Sequence, residues 1–217
     1  AAEQGMIESQ FFVGFMYENG FGIDKDYQES FKWYQKAAEQ GDATSQYKLG
    51  KMYLSGNGVK ADSTEAMRWL QKAAEQDNVL SLLELGFYNQ LIGLANNDDK
   101  LLNKAANYLK RAALKGNEEA QYKLGLILAS GKGLKQDYKE AFKWYKKAAE
   151  QGYLDAQIAL SAMFQFGKGV KQDYAEAFKW TKKAAEQGHV DSQITLGTMY
   201  ANGEGVKQDY SEAYKWY

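Results

Sequence analysis

The sequence contains no cysteine and a single histidine, His189. Without cysteine there is no disulfide framework and no thiolate metal site, and the redox compartment is left open. A lone histidine cannot build a metal centre without cysteines or clustered carboxylates, so His189 reads as an exposed turn residue. Arginine is nearly as scarce: Arg68 and Arg111 stand against 25 lysines. Surfaces that read phosphates or bases draw on the bidentate arginine fork. With a net charge of only −1, nucleic acid is not an expected partner. No apolar run approaches the ~18 residues needed to span a bilayer, and no signal peptide opens the chain at Ala1. Membrane insertion is therefore not expected, and the compartment stays unknown.

What the chain does have is repetition. Gln136 to Gly152, QDYKEAFKWYKKAAEQG, returns as Gln172 to Gly188 with two substitutions, and looser copies begin at Asp26, Asp62 and Gln208. An Ala-Ala pair closes each unit, at Ala1, Ala37, Ala73, Ala112, Ala148 and Ala184, with spacings of 36, 36, 39, 36 and 36 residues. All five tryptophans (Trp33, Trp69, Trp144, Trp180 and Trp216) share one position of the unit, where the third unit has Tyr108. A 36-residue period is too short for a domain and fits one helix pair of a solenoid. The chain begins and stops inside repeats and reads as one solenoid over 1–217, a slice of a longer array.

The unit from Gly116 to Gly152 predicts its own elements. Residues 118–130 place Ala120, Leu124, Ile127 and Leu128 at helical steps. Gly131-Lys132-Gly133 then breaks the helix. Asp137 can cap a second helix, with Glu140 reaching back to the cap as in a capping box. That helix is expected to bury Ala141, Trp144, Tyr145, Ala148 and Ala149 and to stop at Gly152. The first helices also carry glycine, at Gly14, Gly50, Gly86, Gly125 and Gly197, with Ser161 in the fifth unit. Such a glycine costs roughly 1 kcal/mol against alanine, so a close helix approach should offset it, with the Trp ring expected over the gap. The irregular repeat at 78–111 lacks Gly-x-Gly and has three extra residues, about one helical turn. A longer second helix capped from Asn97, Asp98 or Asp99 is the simplest account.

Taken together, the Leu-Gly pair, the Gly-x-Gly turn, Asp-x-x-x-Ala-x-x-Trp and Lys-Ala-Ala-x-x-Gly resemble the Sel-one-like repeat (SLR), a relative of the tetratricopeptide repeats. Close matches run from Ser45 to Asp77 and from Ala120 to Gly152, and the resemblance covers essentially the whole chain. It implies an all-α, right-handed α/α superhelical solenoid of about six 36-residue helix pairs. It further implies a non-enzymatic scaffold or adaptor for proteins, bacterial and host- or envelope-directed, secreted or periplasmic. Two alternatives come with it: an immunity protein that neutralises a secreted toxin, and a cell-wall or β-lactam-processing enzyme. Asp77, where the pattern closes on glycine, departs from it.

The residues offer little chemistry. Asp98-Asp99 and Glu118-Glu119 are adjacent and would not face each other on a helix; helix capping explains them. The Gly-x-Gly turns lack the spacing of phosphate loops, so no cofactor is expected. The paired lysines before Ala-Ala read as solvated faces. An enzyme would require a clustered nucleophile and base, which the sequence does not show. A partner site is instead sought at first-helix positions that vary between units, because core positions must match. Flanking the Leu-Gly pair these are Phe12 and Phe15, Lys48 and Lys51, Glu84 and Phe87, Lys123 and Leu126, then Ala159/Ala162 and Thr195/Thr198. By analogy with tetratricopeptide packing they face the concave groove. The aromatic residues would anchor a protein or peptide, and Lys48, Lys51 and Lys123 would favour an acidic one.

Overall fold

The helix boundaries follow from caps that the sequence supplies. A computed structural model describes all residues, 1–217. The first helices of successive repeats are α1 (Ile7–Asn19), α3 (Ala43–Ser55), α5 (Val79–Asn96), α7 (Glu118–Ser130), α9 (Leu154–Phe166) and α11 (Val190–Asn202). The second helices are α2 (Tyr27–Glu39), α4 (Ser63–Glu75), α6 (Asp99–Leu114), α8 (Tyr138–Glu150), α10 (Tyr174–Glu186) and α12 (Tyr210–Trp216). There is no strand, and no proline interrupts any helix. The fold is all-α and built from helical repeats. No helix is long and apolar enough to cross a membrane.

Every second helix opens on an aspartate whose carboxylate accepts backbone N–H bonds from the first turn: Asp26, Asp62, Asp98, Asp137, Asp173 and Asp209. Each such cap contributes about 1 kcal/mol. The reciprocal half of the capping box does not form. The N–H of Asp137 is already taken by the Leu128 carbonyl at 2.9 Å, and the equivalent bonds join Asp26 to Tyr17, Asp62 to Tyr53 and Asp173 to Phe164. Glu140, with no donor left at the cap, turns forward to Lys143 at 2.8 Å. His189 is also a helix N-cap, half-buried, with Nδ1 accepting from the Ser192 N–H at 3.2 Å.

The first-helix glycines make room for a neighbouring side chain, but not the tryptophan's. A Cβ on Gly14 would lie 2.8 Å from Tyr34, and one on Gly125 2.5 Å from Tyr145; at Gly50 the contact is Leu70. The residue after the tryptophan therefore fills the gap. In the fifth repeat both partners change together: Ser161 and Thr181 share a 2.6 Å hydroxyl bond in place of the glycine–ring contact. The tryptophans Trp69, Trp144 and Trp180 are buried elsewhere in the repeat. The second lysine of each pair lies across the ring, with Nζ 4.4 Å from the Trp144 centroid and 4.5 Å for Lys183 and Trp180. These lysines thus cover aromatic surface as well as meeting solvent.

Successive repeats meet through three recurring contacts. From the second repeat on, the second glycine of the turn approaches the preceding repeat's backbone: a Cβ on Gly58 would stand 2.0 Å from the Tyr27 carbonyl oxygen, and one on Gly169 2.2 Å from that of Tyr138. No other residue fits there. Edge-to-face rings join the second helix of one repeat to the first helix of the next, as Phe31–Tyr53, Phe142–Phe164 and Phe178–Tyr200, at 5.2–5.4 Å.

The third contact is a glutamine relay that the sequence analysis passes over. Buried Gln121 donates to the Ala113 carbonyl at 3.2 Å and accepts from Gln151 at 2.8 Å. The same bonds recur for Gln46 with Ala38 and Gln76, and for Gln157 with Ala149 and Gln187. Each relay pins three helix segments at once.

The third repeat keeps its cap on Asp98 and lengthens α6 to 16 residues, as expected. Its first helix lengthens too: α5 has 18 residues, because the stretch without Gly-x-Gly continues as helix. Asn97 and Asp77 adopt left-handed φ of 54° and 58°, the latter where the other repeats place glycine. The chain divides into two compact units, Ala1–Asn89 and Gln90–Tyr217, the division falling within α5. In the first, α2 packs on α1 and α3, and α4 on α3, around Tyr34, Leu49, Met52 and Trp69. In the second, each helix from α6 to α12 packs on its neighbour in sequence.

Candidate functional site

Six of the eight variable residues fall in the first unit, on α1, α3 and α5. Phe12 is 60% exposed, its ring edge-on to the half-buried Phe11 at 5.6 Å. Phe15 lies between Phe11 and Phe21. Phe21 is exposed as well, so α1 and its following turn present a row of apolar surface.

The lysines beside this row carry internal partners. Lys48 Nζ reaches Glu18 at 2.8 Å and lies 5.8 Å from the Phe15 ring centroid. The same Glu18 oxygen accepts from the Tyr34 hydroxyl at 2.6 Å. Burial of Tyr34, followed by that bond, pushes its phenol well above its ordinary value. Lys51 Nζ meets Glu84 at 2.5 Å, and this bond raises the lysine's pKa. The patch therefore holds two carboxylates against two ammonium groups, and the basic character expected of it is balanced. Phe87 is half-buried one turn beyond Glu84.

The remaining two residues, Lys123 and Leu126, lie on α7 in the second unit, half-buried and exposed respectively. Leu126 lines a cleft of about 380 Å³ with Ala129, Tyr145, Ala159, Ala162 and Lys168. Tyr145 is 4% exposed, and burial raises its phenol. Glu18 and Lys168 escaped the sequence analysis, and Tyr145 was expected there only as core. For Glu18 the signal was present, because its position varies as the chosen ones do: Glu18, Leu54, Gln90, Ala129, Gln165 and Ala201.

Ser45 and Lys48 have the Ser-x-x-Lys spacing of some acylating enzymes. Their environments separate them. Ser45 is fully buried with a hydroxyl that has no partner, while the Lys48 ammonium is held by Glu18. No three histidine, cysteine or acidic side chains gather where they could hold a metal ion.

The Sel1 repeat family model matches residues 7–42, 43–78, 79–117, 118–153, 154–189 and 190–217. Among solved structures, the chain is similar to c5321, a protective antigen present in uropathogenic Escherichia coli strains and displaying an SLR fold. The identity is 32% and the TM-score 0.90, over 99% of this chain and 45% of that one. The chain thus spans less than half the length of that antigen. A Sel1 repeat protein from Oxalobacter formigenes is 35% identical with a TM-score of 0.78, over 98% of this chain and 86% of that one. Among curated proteins no match is found.

Proposed function

Because this chain belongs to the Sel1 repeat family, whose members are typically non-catalytic scaffolds for protein interactions, we propose that it is an adaptor binding a protein or peptide on the first helices of its first unit. The observation that carries the proposal is the pair of exposed rings on α1 and its following turn, Phe12 and Phe21, beside ion pairs that fix the surrounding charges. Aromatic side chains dominate the energetics of interfaces, and Phe12, beyond its edge contact with Phe11, leaves most of its ring in solvent. Phe12, Phe15 and Phe87 would bury apolar side chains of the partner. Lys48, Lys51 and Glu84 would meet its polar groups. An acidic partner would have to compete with Glu18 and Glu84 for Lys48 and Lys51, so apolar contact is the primary term. The likeness to an antigen of uropathogenic strains supports a host- or envelope-directed partner.

The test places a photo-reactive benzoylphenylalanine at Phe12, and in a second protein at the exposed Lys182, with crosslinked proteins identified by mass spectrometry. A protein captured only from the Phe12 position is expected, with capture lost in competition with the unmodified chain. Phe12→Asp should weaken that complex at least tenfold and leave the melting temperature within about 1 °C, since an exposed substitution is nearly neutral for stability. Equal capture from both positions, or unchanged affinity of Phe12→Asp, overturns the assignment.

A further inference from the structure

Tyr34 and Tyr145 hold the same place in their repeats, each against a first-helix glycine. Their hydroxyls have different fates. Tyr34 donates to Glu18, whose carboxylate Lys48 neutralises. In the register of the fourth and fifth repeats, Glu18 is replaced by Ala129, Lys48 by Ala159 and Lys51 by Ala162. The deleted ion pairs leave the cleft of about 380 Å³ between α7, α8 and α9, within the size range of sites that take small ligands and side chains. Tyr145 lines it with no hydrogen-bond partner for its hydroxyl, although the residue is 4% exposed. With no acceptor on the chain, the hydroxyl is free to donate to a group that enters the cleft. Lys168 stands at the same cleft, where the second repeat has Asn57, and no carboxylate lines the cleft to meet it.

We propose that this cleft receives the carboxylate of an acidic side chain from a bound protein segment. The carboxylate replaces the one that Glu18 supplies in the first repeat. One oxygen accepts the Tyr145 O–H, the Lys168 ammonium balances the charge, and Leu126, Ala159 and Met163 cover the aliphatic stem. The chain thus shows in its first repeat the interaction that its fourth repeat leaves open for a partner. The proposal rests on the scaffold reading but places this contact on residues of the second unit.

The probe is an acetylated and amidated pentapeptide with a central glutamate between leucines, titrated into the full chain and followed by amide chemical shifts. Saturable shifts on α7 and α9 are expected, with the glutamine version of the peptide about tenfold weaker or worse, as for the loss of a charged hydrogen bond. Tyr145→Phe removes the hydroxyl alone, and Ala129→Glu refills the cleft as in the first repeat. Each should weaken binding by a similar factor, while Phe12→Asp should leave it unchanged. No saturable binding, equal affinity for the glutamine peptide, or unchanged affinity in Tyr145→Phe overturns the proposal. So does loss of binding in Phe12→Asp, which would place the acid on the first unit. If the peptide fails while the partner captured from Phe12 persists, this inference falls and the adaptor function stands.

Discussion

At the scale of single residues, the repeats act as internal controls for one another. Ser45 is fully buried, and its hydroxyl has no partner. The fourth and fifth repeats place Ala120 and Ala156 at the same position, also fully buried. In the sixth, Ser192 keeps the hydroxyl but satisfies it through His189 Nδ1 at 2.9 Å. Ser45→Ala should therefore stabilise the chain by about 1 kcal/mol, the cost of an unpaired buried hydroxyl, raising the melting temperature by roughly 2–4 °C. A calorimetric scan showing a lower transition would mean that the hydroxyl is bonded after all. The same substitution removes the serine of the Ser-x-x-Lys spacing, so any hydrolytic activity of the chain should survive it.

At the scale of elements, the glutamine relay is the contact most specific to repeat stacking. Gln121→Leu removes two bonds, although the Ala113 carbonyl keeps the Gly116 N–H at 3.1 Å and the Gln151 amide keeps the Lys147 carbonyl at 3.4 Å. At the net worth of about 0.5–1.5 kcal/mol per bond, it should cost about 1–3 kcal/mol in urea unfolding. The third repeat shows how both members can be dispensed with together: it has Leu82 and Lys115 where the first, second, fourth and fifth have two glutamines. Combining Gln121→Leu with Gln151→Lys should therefore cost less than the sum of the single changes. The coupling expected for residues in direct contact is about 0.5–3 kcal/mol. Strict additivity would show that the two amides act independently. The relay also marks a limit of sequence analysis. Helix pairs, turns and caps were legible because each depends on neighbours a few residues apart. Gln121, by contrast, acts through Ala113 and Gln151, eight and thirty residues away. The filling of the Gly14 and Gly125 gaps by Tyr34 and Tyr145 is non-local in the same way. Adjacent positions on a helix point in different directions, and the tryptophan next door drew the assignment.

At the scale of the whole molecule, the surroundings of the candidate site residues were legible only in part. Variation between repeats located Phe12, Lys48, Lys51 and Leu126 on accessible surface, but not the partners that decide their chemistry, Glu18 and Glu84 for the lysines and Tyr145 behind Leu126. The two buried tyrosines make that difference measurable. Burial holds both phenols above their ordinary value of 10.0. Below that pH the folded and unfolded chains carry the same protons on these groups, and stability does not depend on them. Above it the unfolded chain releases protons that the folded chain keeps. Stability should then fall by up to about 1.4 kcal/mol per pH unit for each tyrosine. Lys51, raised by its bond to Glu84, adds loss of the same sign above its ordinary value of 10.5. Urea unfolding should therefore be flat from pH 7 to 9.5 and weaken steeply beyond pH 10. Tyr145→Phe should reduce that slope and change little at pH 7, because its hydroxyl breaks no bond on leaving. Tyr34→Phe should also reduce the slope, but at a cost of roughly 1.5–3 kcal/mol at pH 7 for the lost bond to the Glu18 carboxylate. Equal losses for the two variants at pH 7 would show that Tyr145 is bonded within the chain, and that no place is kept for a partner's carboxylate.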